Sequence, residues 1–65
     1  MNNRDKLIDL ISTYKLDRTE VAELVCTDRD TVDRWLLSAE SARHLQMPDM
    51  AIELLQLKLA AERPS

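Results

Sequence analysis

Glycine is absent from this sequence of 65 residues, so no Asn-Gly or Asp-Gly hairpin turn is available, and any left-handed backbone position must be filled by a residue with a side chain. Sustained alternation of apolar and polar residues is missing too, which removes the strand signal and leaves an all-α chain. Cys26 is the single cysteine, so no intrachain disulfide can form; with His44, the single histidine, it supplies at most two of the four ligands that structural zinc normally takes. No apolar run approaches the length of a membrane span, and the charged start Met1-Asn-Asn-Arg-Asp-Lys6 does not resemble a secretion signal. The expected location is the cytoplasm. His44 has no nucleophile motif or glycine-rich loop around it, so an enzyme is not expected, nor is a cofactor, a metal or a small-molecule partner.

What is present is the composition of a folded domain, 45% apolar and 32% charged. Sixty-five residues form one domain, here 1–65, because neither half alone would bury enough apolar surface to offset the entropy of ordering it. Domains this small often lean on a disulfide, a metal or a second subunit. With the first two removed, self-association is the remaining support. The net charge of −3 weighs against a generic polyanion binder, although binding follows the charge of one face rather than the total.

Four helices are expected, over about residues 4–14, 18–25, 28–37 and 48–62. Leu7, Leu10, Ile11 and Tyr14 fall on one face of the first. Asp17 followed by Glu20 has the spacing of a capping box and starts the second, whose short buried stripe is Val21, Ala22 and Val25. Asp28 is a second N-cap, and Val32, Trp35 and Leu36 form the buried side of the third helix, leaving Arg29, Asp30, Asp33, Arg34 and Leu37 outward. Periodicity weakens from Ser38 to Met47, and Pro48 with Asp49 reads as the last helix start. That helix carries two apolar stripes, Met50, Leu54, Leu57 and Ala61 on one side and Ile52, Leu55 and Leu59 on the other. One stripe suffices to dock it, so the surplus points to a homodimer, with the interface assigned to Ile52, Leu55 and Leu59.

The run Thr19-Glu-Val-Ala-Glu-Leu-Val-Cys-Thr-Asp-Arg-Asp-Thr-Val-Asp-Arg-Trp35 resembles the helix-turn-helix of the Cro/C1 (XRE) repressor family. Ala22 sits where the two helices cross closely, Val25 is the buried end of the first, and Thr31-Val32 with Arg34-Trp35 matches the family's usual Thr-Val-x-Arg-Trp ending. The surrounding helices follow family order, so the resemblance covers about Leu7 to Leu59. It implies a compact four-helix DNA-binding domain whose third helix lies in the major groove. The starts of the second and third helices would then face phosphates. Carried over by position, Arg29, Asp30, Asp33 and Arg34 are base readers, and Arg18, Thr27 and Arg43 are phosphate contacts. Arginine reads guanine bidentately and a carboxylate accepts from cytosine N4, a mixture suited to G·C-containing half-sites. Where the family usually has glycine, this chain has Cys26 in the turn and Ser38 after the recognition helix. A left-handed Cys26 would cost about 1–2 kcal/mol.

Trp35-Leu-Leu-Ser38, Arg43 and Met47-Pro-Asp-Met-Ala-Ile-Glu-Leu-Leu55 look like the tail of small phage and mobile-element regulators, including anti-CRISPR-associated autorepressors. That resemblance implies a homodimeric repressor binding double-stranded DNA at an inverted repeat in its own promoter. The rival expectation is a protein-interaction module, for example an antirepressor, because six residues from Asp17 to Asp33 are acidic.

Overall fold

Asn2 starts the first helix: its Oδ1 accepts the Asp5 amide at 2.8 Å, satisfying one of the N–H groups that a helix start leaves without an intrahelical partner. The computed structural model describes residues 2–62, and within them α1 is Asn3–Tyr14, α2 Arg18–Leu24, α3 Arg29–Leu36 and α4 Asp49–Glu62. Each bound lies within one residue of its expected place. No strand occurs among the described residues, and no helix there is long and apolar enough to cross a membrane.

Local chemistry sets the other boundaries. Asp17 Oδ1 accepts the Glu20 amide at 2.8 Å while Glu20 Oε1 reaches back to the Asp17 amide at 3.4 Å, the reciprocal box its spacing predicts. Asp28 Oδ1 accepts the Thr31 amide at 2.7 Å and starts α3. The Pro48 carbonyl accepts from the Ala51 and Ile52 amides at the start of α4.

Two helices end in left-handed residues although the chain has no glycine. Lys15 closes α1 at φ 54, ψ 49, and the Leu16 amide donates back to the Ile11 carbonyl at 3.0 Å. Cys26 follows α2 at φ 59; its amide bonds the Glu23 carbonyl at 3.3 Å, and the Thr27 amide bonds that of Ala22 at 2.8 Å, the two links of a Schellman ending. Cys26 therefore carries the strain that glycine would avoid. We expect Cys26→Gly to stabilise the domain by about 0.5–1 kcal/mol after the extra freedom of glycine in the unfolded chain is subtracted, raising Tm by roughly 2–8 °C. A lower Tm in thermal denaturation would overturn the assignment of strain to Cys26.

At seven and eight residues, α2 and α3 are too short to hold their own shape, so packing must hold them. Both α1 and α2 pack against α3 and α4. The shared core is Leu7, Leu16, Val21, Ala22, Val32, Trp35, Met47, Ile52, Leu55 and Leu59. Trp35 is thus a packing residue, and Leu10, Ile11, Tyr14, Val25 and Leu36 pack around the buried set.

The stripe of α4 assigned to the subunit interface is corrected here. Ile52, Leu55 and Leu59 are at most 2% exposed within the single chain, whereas Met50 and Leu57, on the other stripe, are 80% and 69% exposed. Both stripes have docking periodicity, so the choice depends on how α4 is rotated about its axis. Asn3 bears on that rotation, because its Nδ2 donates at 2.7 Å to both the Met47 carbonyl and Asp49 Oδ1. This clamp spans more than forty residues of sequence and leaves no local trace. Met47, in a stretch of weak periodicity, is likewise buried beneath it.

Candidate nucleic-acid interface

The outer side of α3 follows from its inner side. Val32 and Trp35 are buried against the core; Asp30, Asp33 and Arg34 lie on the opposite side of the helical wheel and Arg29 on its flank, with Arg29 and Asp30 exposed and Asp33 and Arg34 half-buried. The four residues Val25 to Asp28 connect this helix to α2, and the Schellman ending in that connection sets how the two helices meet.

The four expected base readers do not behave alike. Arg29, the first residue of α3, is exposed and has no partner among the described residues. Asp33 Oδ1 lies 2.7 Å from Arg18 Nη1, in a hydrogen-bonded ion pair linking the middle of α3 to the start of α2. One expected base reader is thereby bonded to one expected phosphate contact. Arg34 Nε is 3.1 Å from Asp30 Oδ2, one helical turn away, but is not aligned to donate a hydrogen bond there. That contact is an ion pair by distance only, with the Nε atom itself enclosed while the Arg34 side chain remains 39% exposed.

The remaining expected phosphate contacts are separate. Thr27 sits in the connection, half-buried, with its amide committed to Ala22. Arg43 is exposed in the segment between α3 and α4, which is tied to the far end of α3: the Leu45 amide donates to the Arg34 carbonyl at 3.2 Å, and His44 Nδ1 lies 3.0 Å from the Leu37 carbonyl. A proton on Nδ1 makes that contact a hydrogen bond. Arg4 was missed by sequence reasoning. Its Nε donates to the Leu37 carbonyl at 3.0 Å and to the Leu36 carbonyl at 3.3 Å, placing a cation at the negative end of α3. Nothing in the sequence around Arg4 signals a partner thirty residues on.

The α2–α3 segment is net acidic. From Asp17 to Arg34 there are three arginines and six acidic residues, and two of the arginines have carboxylate neighbours within the structure. Asp28 has its carboxyl held below the ordinary aspartate value, first by hydrogen bonding from Thr31; burial opposes this, and the Arg34 charge adds a lesser lowering. Because folding lowers this pKa, the carboxylate contributes stability above its unfolded value, and the contribution is lost as pH falls through the folded one. The expected result is a shallower loss of stability in acid for Asp28→Asn, which keeps the cap but does not titrate. Urea midpoints measured from about pH 5 down to about pH 2 check this, and identical slopes in parent and variant would refute it.

A shallow, mainly apolar groove of about 570 Å³ lies along the outer face of α4, lined by Val25, Pro48, Met50, Ala51, Leu54 and Leu57 with the charged Glu53 among them. Among the described residues, no three His, Cys, Asp or Glu side chains are grouped to hold a metal ion. Compared with known proteins, the chain matches no family model, no curated protein and no solved structure.

Proposed function

We propose that this chain is a sequence-specific DNA-binding repressor of the helix-turn-helix kind, resembling the Cro/C1 family, which acts as a homodimer on an inverted repeat in its own promoter. The observation that carries the reading is the outer side of α3: a short helix seated on α2, whose first residue, Arg29, is an exposed arginine without a partner among the described residues. A helix of this size fits the major groove, and an arginine at its start has the reach and the fork of donors to read guanine O6 and N7. Two such helices in a dimer would enter successive major grooves about 34–36 Å apart, and occupancy would block transcription of a small phage or mobile-element operon. The exposed Met50 and Leu57 on α4, with half-buried Leu54 between them, offer the apolar surface for the second copy.

A mobility-shift assay on the DNA upstream of the gene tests the reading. Retardation that exceeds that of unrelated duplex and weakens with salt is expected. No retardation at low salt overturns it, and favours the second reading, in which the acidic α2–α3 surface binds a protein. The pairing of Arg18 and Arg34 with aspartates is what speaks for that alternative.

A further inference from the structure

The ion pair between Arg18 and Asp33 joins two helices that no other described charge pair joins. Arg18 is the first residue of α2, and Asp33 is on the outer side of α3, so the bond lies across the surface assigned to DNA. Resting on that assignment, we infer that Asp33 is a specificity-determining residue that acts by holding Arg18: it withholds one cation from phosphates until the bases beneath α3 offer Asp33 another donor.

The chemistry is an exchange of partners. In the free protein Asp33 Oδ1 accepts from Arg18 Nη1 at 2.7 Å. The two side chains are 38% and 50% exposed, so the pair is solvated and opens easily. Against a matching base pair, the Asp33 carboxylate accepts from an exocyclic amine such as cytosine N4, and the released guanidinium turns to a phosphate. Against a base edge that presents only acceptors, Asp33 has no replacement donor. Opening the pair there leaves a carboxylate facing base acceptors, so Arg18 stays bound and the phosphate goes without it. Base reading and backbone grip are coupled through one bond. Asp30 does not act in the same way, because its neighbour Arg34 lies on its own helix, one turn away.

The test is fluorescence anisotropy with two probes, a random-sequence duplex and the DNA upstream of the gene, across a salt series. It uses the parent, Asp33→Asn, Arg18→Ala and the double variant, with Asp33→Ala as a second substitution should the first not fold. Asp33→Asn keeps the shape and removes the charge. It is expected to bind the random duplex roughly two- to fivefold more tightly, with a log–log salt slope steeper by about 0.9, the increment of one added phosphate contact. Between 50 and 200 mM salt that slope is about a 3.5-fold larger loss of affinity. In the Arg18→Ala background the same substitution is expected to give no such gain. A gain that persists without Arg18 would be plain relief of charge repulsion and would overturn the inference, as would equal slopes in parent and Asp33→Asn. The broader reading fails separately, when the parent binds the upstream DNA no better than the random duplex; the Arg18-dependent slope still reports on the pair in that event.

Discussion

Replacing Leu55 with aspartate is expected to unfold this domain, whereas replacing Leu57 with aspartate should leave it folded and turn the proposed dimer into a monomer. The two positions are neighbours on α4 with the same side chain, and only the direction each faces differs. Leu55 has no exposed surface, and Leu57 is 69% exposed. Truncating a buried leucine to alanine already costs about 2–5 kcal/mol, and a carboxylate forced into the same apolar site without a partner adds several more. A chain of this length has on the order of 3–10 kcal/mol of stability in all. Loss of the helical circular dichroism signal is therefore expected for Leu55→Asp at 25 °C, with the Leu57→Asp spectrum unchanged and its mass halved by light scattering. A folded, monomeric Leu55→Asp would reverse the assignment of the two stripes and return the interface to Ile52, Leu55 and Leu59.

That contrast marks where the sequence stops being informative. Helix starts were legible because their signals are local: Asp17 with Glu20, Asp28 with Thr31, and Pro48 each bond or constrain residues within four positions. Helix ends were less so, since Lys15 is an unexpected residue for a left-handed cap and Cys26 was strained only on a condition that the structure meets. The rotation of α4 was illegible. Periodicity shows two apolar stripes, and the Asn3 clamp on Met47 and Asp49 belongs to the other end of the chain. The candidate site divides in the same way. Outward positions of α3 follow from a period of 3.6, and the Asp30–Arg34 spacing is that of an i,i+4 pair. The bond between Arg18 and Asp33 crosses helices, so it depends on the angle at which α2 and α3 meet, which residue order does not state.

Those pairings also rank the arginines. Arg29→Ala is expected to reduce the preference for the upstream DNA over random duplex by about 1–3 kcal/mol, the worth of one bidentate guanine contact, which is roughly 5- to 150-fold in the affinity ratio. Its unfolding free energy should change by less than about 0.5 kcal/mol, because an exposed side chain without a partner takes no packing with it. Arg29→Lys should lose most of the same preference, since an ammonium keeps the charge but not the fork. Arg34→Ala has to be read differently. It removes a pair with Asp30 and a half-buried stem as well as a guanidinium, so a fall in stability accompanies any fall in selectivity. Competition binding at a fixed salt concentration, with urea unfolding of each variant alongside, separates the two effects. If Arg29→Ala keeps the parent's preference while Arg34→Ala loses it without losing stability, reading has moved one turn along α3, and Asp30 rather than Asp33 becomes the carboxylate whose partner the operator must replace.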